Sequence, residues 1–128
     1  MNYRLSLLLL LLTGCQFTSP LVIGGPDKPA QTSVAFIWPN QLATDGCAAR
    51  IQLQGNLDPG TQPINLTPTP ATQPLLVRAL NTIPVDPSTH AQRVLIRFRP
   101  TGRTVSIACG WGAQVPAQEI DVQRISPY

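Results

Sequence analysis

The sequence has few of the residues on which enzyme chemistry depends. It holds one histidine, three cysteines and six acidic residues, and charged residues make up only 12% of the chain. It has no glycine-rich phosphate-binding loop and no Gly-x-Ser-x-Gly nucleophile motif. Cys47, Cys109 and the distant histidine are too few to complete a four-ligand zinc site; the third cysteine, Cys15, directly follows the apolar N-terminal segment. We therefore expect a protein that is not an enzyme and that holds no metal or cofactor.

The single histidine lies in a segment with the composition of a turn. His90 closely follows Asp86 and Ser88, and a catalytic base needs a nucleophile and an orienting acid close in space. Asp and Ser in turns usually bond to the backbone instead, so we expect a surface loop. We likewise expect Glu119 and Asp121 to lie on a solvated strand face, and not to act as a glycosidase pair.

Aromatic residues are also scarce, at 5% of the chain, whereas there are 14 prolines and 9 glycines. This proline content argues against long helices, and the core must come from Val, Ile, Leu and Ala. A small core of this kind benefits from a covalent cross-link. The net charge of +3 is too weak to indicate a nucleic-acid partner.

The N-terminus has the parts of an export signal. Arg4 precedes an apolar run at residues 5–12, which is followed by Thr13 and Gly14. A membrane-spanning helix needs about 20 apolar residues, so this run is too short to be one. A charged start, a short apolar run and then small residues are typical of a secretory signal.

Leu12-Thr13-Gly14-Cys15 resembles the lipobox of bacterial lipoproteins. The resemblance implies that cleavage follows residue 14 and that the Cys15 thiol carries a diacylglycerol. Two or more acyl chains hold a protein stably on a membrane. The alternative is an ordinary secretory signal with an incidental cysteine.

A lipidated Cys15 places the protein in the cell envelope. The residue after Cys15 is Gln16 and not an aspartate. By resemblance to the sorting of Gram-negative lipoproteins, this favours the outer membrane as the location of the protein. In a bacterium with a single membrane, the expected location is the outer face of the plasma membrane. We predict a signal peptide at residues 1–14, a lipidated and flexible tether at 15–32, and a single β domain at 33–128. Residues 21–23 are an apolar island in the tether, and alternatively an edge strand.

The two other cysteines form an even pair in an exported, oxidising setting. We expect a disulfide between Cys47 and Cys109, with two reduced thiols as the alternative. Such a bond would close a loop of about 62 residues, which corresponds to roughly 4 kcal/mol of stabilisation.

Alternation of apolar and polar residues predicts strands in much of the domain. The clearest case is a β-hairpin over residues 92–109, in which Val94, Ile96 and Phe98 share one face and residues 100–102 form the turn. Further strands are predicted at residues 33–38, 49–53, 75–80 and 119–125. Residues 55–74 are predicted to be a loop that holds a short extended piece at 64–66.

Gly46-Cys47, the V-x-I-x-F pattern at residues 94–98 and Cys109-Gly110-Trp111-Gly112 resemble small secreted bacterial β-barrel domains. A final strand with alternating Ile and Val, at residues 120–125, adds to a similarity that covers residues 45–126. The resemblance implies an all-β fold, a five-stranded oligonucleotide/oligosaccharide-binding-like (OB-like) barrel with a disulfide joining two strands. A small β-sandwich is the alternative.

Two features are candidates for binding. Arg93, Arg97, Arg99 and Arg103 flank the predicted hairpin and can pair with phosphate or carboxylate groups of an envelope polymer; otherwise they are a solvated, edge-protecting face. Trp111 is expected to pack beside the disulfide, with a ligand platform as the alternative.

The function expected from these features is that of a membrane-anchored, non-enzymatic envelope module that binds a protein or anionic polymer, or supports an assembly. The alternative is an inhibitor of an exported hydrolase such as a lysozyme or protease, with residues 55–74 entering the cleft of the enzyme.

Overall fold

Five strands close into a barrel in the part of the chain that a computed structural model describes, residues 27–54 and 63–128. The strands are β1 (Gln31–Trp38), β2 (Arg50–Leu53), β3 (Asn65–Pro68), β4 (Gln92–Ala108) and β5 (Gln114–Pro127), and one helix, α1 (Gln73–Thr82), joins β3 to β4. Neighbours around the barrel run β1-β2-β3-β5-β4 and back to β1. Every pairing is antiparallel except β3 with β5. The expected five-stranded OB-like barrel is thus confirmed.

The interior of the barrel is aliphatic, with Phe98 as its largest buried side chain. In β4, Val94, Ile96 and Phe98 face inward while Leu95 and Arg97 are exposed, as period-2 alternation predicts. The remaining buried residues of the cluster are Ala35, Ile37, Ile51, Leu66, Leu76, Ala79, Ile83, Ile120 and Val122.

The turn predicted at residues 100–102 is wrong, because β4 continues through it. Both halves of β4 pair with β5: Ile96 lies opposite Ile125, and Ile107 lies opposite Val115. Pro100, Thr101 and Gly102 form an irregularity in the register between Pro100 and Thr104. Proline has no N–H group that the irregularity could leave unpaired, and Gly102 takes a φ of 81°. The hairpin is the β4–β5 pair, and its turn is the 3₁₀ segment Gly110–Gly112.

The strand predicted at residues 75–80 is also wrong, since α1 occupies this segment. Its buried residues Leu76 and Ala79, followed by Ile83, are three and four positions apart, which is the spacing of one helix face. Pro74 lies in the first turn, where its missing N–H costs nothing. The Gln92 amide then donates two hydrogen bonds of 2.8 Å to the carbonyls of Leu80 and Ile83 at the end of the helix.

The other predicted boundaries differ by a few residues. Strand β1 begins at Gln31, two positions inside the predicted tether, and β5 extends beyond residues 119–125 at both ends. The predicted extended piece at 64–66 overlaps β3, and the loop predicted at 55–74 therefore contains a strand and the start of α1. The signal segment, Cys15 and residues 21–23 and 55–62 lie outside the described residues. Within the described ranges, no helix has the length and apolar character that a membrane crossing requires.

Candidate anion-binding site

Two arginines from neighbouring strands lie side by side on the outside of the barrel. Arg97 of β4 is directly opposite Arg124 of β5 and also opposite Thr32 of β1. Leu95, in the adjacent row, is opposite Ser126. These five residues line a shallow depression of about 200 Å³, which we call the arginine site.

The arginine site presents hydrogen-bond donors and positive charge, with no acidic group in its lining. The Arg97 Nε donates to the Gln123 Oε1 at 3.0 Å, so a neutral amide orients this guanidinium without cancelling its charge. Like charges directly opposite each other on a sheet are destabilising. Two guanidinium groups and two hydroxyl groups together are suited to bind a phosphate or a carboxylate.

The structure separates the four arginines that the sequence grouped together. All four are exposed, but only Arg97 lines the arginine site. Arg99 stands opposite Asp121 in the β4–β5 register, and the Arg103 Nη1 lies 3.7 Å from the Glu119 Oε1.

Arg93 is held by a different set of contacts. Its guanidinium stacks 4.1 Å from the centre of the Tyr128 ring, and its Nε donates to the Gln54 Oε1 at 3.0 Å. The two arginines that line the arginine site are therefore Arg97 and a residue that the sequence analysis missed, Arg124.

Arg124 was missed because a β-bulge changes the side to which it points. Arg97 pairs with Arg124 and Phe98 pairs with Val122, so Gln123 is an extra residue in β5. Strict alternation from Val122 would turn Arg124 inward, whereas the bulge leaves Gln123 and Arg124 both exposed. The sequence carries no local signal of this bulge.

The expectation that Glu119 and Asp121 share a solvated face is wrong for Glu119, which is only 7% exposed. Its carboxylate accepts a hydrogen bond from the Thr101 hydroxyl at 3.1 Å and faces Arg103. The irregular part of β4 thus covers this side of β5. Asp121 is half-buried.

The disulfide is confirmed, with the Sγ atoms of Cys47 and Cys109 2.02 Å apart. It joins the β1–β2 loop to the β4–β5 turn, and the Gly110 N–H adds a 2.8 Å hydrogen bond to the Gly46 carbonyl. A Cβ on Gly110 would lie 2.6 Å from the Asp45 Cα. Only glycine permits this close approach of the two backbones.

The expected packing of Trp111 beside the disulfide is wrong, because its side chain is 91% exposed. Trp111 has a φ of 62° between Gly110 and Gly112, a left-handed conformation at the turn of the β4–β5 hairpin. The disulfide therefore fixes the turn while the indole extends into solvent. Leu42, on the opposing loop, is also exposed.

His90 lies in an exposed turn with Asp86 and Ser88. The Ser88 hydroxyl and the Ser88 N–H donate to the Asp86 Oδ1 at 2.6 and 2.8 Å, and these hydrogen bonds lower the pKa of the Asp86 carboxyl. The aspartate and the serine thus bond within the turn itself. In residues 27–54 and 63–128, no three His, Cys, Asp or Glu side chains come together as a metal site would require.

The strand order, the helix between β3 and β4 and the cross-linked loops define a small, disulfide-bonded OB-like barrel. No protein-family model, curated protein or solved structure matches this chain.

Proposed function

We propose that the protein is a membrane-anchored lipoprotein of the bacterial envelope and acts as a non-enzymatic binding module. The proposed anchor is the diacylglycerol on Cys15, which the Leu12-Thr13-Gly14-Cys15 motif supports. The proposed binding surface is the arginine site, and the proposed ligand is an envelope component that bears phosphate or carboxylate groups. The disulfide supports the export of the domain, because such bonds persist in oxidising compartments.

The observation that carries the binding proposal is the cross-strand pairing of Arg97 with Arg124. An anion between the two guanidinium groups would accept charge-assisted hydrogen bonds from both of them. It would also reduce the electrostatic repulsion between the two guanidinium groups. The same geometry therefore contributes two favourable terms to the free energy of binding. The hydroxyls of Thr32 and Ser126 lie in the same lining and can donate to further oxygens of the anion.

Retention on phosphocellulose tests this proposal with two charge-matched double variants. The full-length protein in non-ionic detergent is compared with R97Q/R124Q and with R99Q/R103Q, which each remove two positive charges. We expect R97Q/R124Q to lower the affinity about a hundredfold, since two charge-assisted hydrogen-bonding groups are lost. The R99Q/R103Q control should lose much less, because these arginines already face Asp121 and Glu119.

The comparison must hold over a range of salt concentrations, because any basic protein binds a cation exchanger at low ionic strength. Equal losses in the two double variants would reduce the interaction to net charge. Unchanged retention of R97Q/R124Q at low salt would remove the arginine site from the proposal.

A second candidate function, inhibition of an exported hydrolase, is favoured by the exposed Trp111. Aromatic residues on rigid supports are typical anchors of protein interfaces, because they lose little conformational freedom on binding. An inhibitor should slow a lysozyme or a protease at micromolar concentration, and Trp111→Ser should abolish the effect. Activity that stays constant in a panel of such enzymes would dismiss this candidate.

A further inference from the structure

A second depression lies beside the arginine site, between α1 and β5. It has a volume of about 380 Å³ and an apolar floor that includes Leu75, Ile83, Ile125 and Pro127. Arg78 and Arg124 are its two charged lining residues, and no acidic residue lines it. Volumes of this order are ordinary for small-molecule sites, which combine an apolar lining with a few polar groups.

Arg124 belongs to the linings of both depressions. A ligand whose anionic group is bound between Arg97 and Arg124 therefore has an apolar cavity directly next to that group. A purely hydrophilic anion would leave this cavity unused. A molecule with an anionic group and an apolar chain would fill both depressions and bury apolar surface in the second one.

We propose that the two depressions form one site for a phosphate-bearing lipid. The phosphate lies between the guanidinium groups of Arg97 and Arg124, and part of an acyl chain lies against Leu75 and Ile83 in the depression that Arg78 also lines. This inference rests on the proposed function and names the class of its ligand.

A lipid suits this surface better than an extended peptide does. Peptides often bind by adding a strand to an open sheet edge, whereas the arginine site lies on the outer face of β1, β4 and β5 where these strands pair with one another. The positive charge of Arg78, Arg97 and Arg124 is complementary to phosphate, and the apolar floor is complementary to a hydrocarbon chain.

Native mass spectrometry of the full-length protein, released from non-ionic detergent, tests the proposal with three probes. Phosphatidylglycerol carries both chemical features, glycerol 3-phosphate has the phosphate alone, and diacylglycerol has the chains alone. We expect one phosphatidylglycerol to bind about tenfold or more tightly than glycerol 3-phosphate, a gain that burial of about two methylene groups accounts for. It should also bind more tightly than diacylglycerol, which lacks the phosphate that Arg97 and Arg124 would bind.

Variants on the exposed side of α1 test the contribution of the second depression separately from that of the arginine site. Thr82 is exposed and lines the second depression, whereas Val77 is exposed and does not. Thr82→Trp should lower phosphatidylglycerol binding about tenfold by filling the depression, and it should leave glycerol 3-phosphate binding unchanged. The control Val77→Trp should alter neither, and Arg97→Gln should weaken both.

Three outcomes would overturn the inference. If phosphatidylglycerol binds no more tightly than glycerol 3-phosphate, the lipid is excluded while the proposed anion binding stands. If Thr82→Trp and Val77→Trp have the same effect, the second depression is not used. If the wild-type protein binds no phosphatidylglycerol and a variant with Leu21, Val22 and Ile23 replaced by asparagine does, that segment and not a lipid occupies the second depression. Failure of the proposed function itself has a different signature, since Arg97→Gln would then leave glycerol 3-phosphate binding and phosphocellulose retention unchanged.

Discussion

Replacing Cys47 and Cys109 together by serine should lower the free energy of unfolding by about 4 kcal/mol, because the disulfide spans 62 residues whose freedom in the unfolded chain it restricts. Small domains are stable by only about 5–15 kcal/mol, so the variant should be close to unfolding at 37 °C. The loss should be visible in urea denaturation of the full-length protein followed by circular dichroism. The two loops that the bond joins also lose their covalent link, and Trp111 should become more mobile.

Reducing agent provides the control for the disulfide prediction. Under dithiothreitol the wild-type protein should fall to the stability of the double-serine variant, and the variant should not change further. A difference between the two proteins of less than about 1 kcal/mol under oxidising conditions would contradict the expected contribution of the 62-residue loop.

Truncating Phe98 to alanine should cost about 3–5 kcal/mol, as large-to-small changes at fully buried aromatic positions do. Phe98 has no exposed surface and sits where β4 pairs with Gln31 of β1 on one side and Val122 of β5 on the other. The cavity left by the ring therefore opens at the junction of three strands. Urea denaturation should show the loss as a lower transition midpoint.

The neighbouring position is a matched control for Phe98. Arg99→Ala, on the exposed face of the same strand, should change the stability by about 0.5 kcal/mol or less. If Phe98→Ala does not fold, Phe98→Leu should still fold, with a loss of about 1–1.5 kcal/mol, since it keeps much of the volume. Equal losses for Phe98→Leu and Arg99→Ala would show that Phe98 does not anchor the core.

The β-strand content and the disulfide could be predicted from residue patterns, whereas the five-stranded barrel was expected from the resemblance of residues 45–126 to small secreted bacterial β-barrel domains. Alternation in β4 put Val94, Ile96 and Phe98 on one face, and any fold that buries an apolar face must turn that face inward. The disulfide followed from an even pair of cysteines once Cys15 was assigned to lipid. The described residues bear out both expectations.

The errors of prediction arose where local sequence was compatible with two structures. Residues 75–80 are apolar without a clear period, and burial of Leu76 and Ala79 against the barrel decides in favour of α1. The Pro-Thr-Gly segment resembles a hairpin turn, but β5 is long enough to pair with β4 on both sides of it. In each case, contacts with a segment distant in sequence determine which of the two structures forms.

The candidate site shows most clearly which features follow from local sequence and which depend on the tertiary structure. By itself the sequence determined that Arg97 lies on the outer face of a strand, because its neighbours Ile96 and Phe98 must be buried. Only the tertiary structure decided that Arg124 stands opposite Arg97, because a bulge at Gln123 in β5 turns it outward. It also decided that Arg99 and Arg103 face carboxylates, and that Trp111 is exposed. Local alternation fixes the face of a residue, but the register between strands far apart in sequence fixes its neighbours, and charge pairing depends on those neighbours.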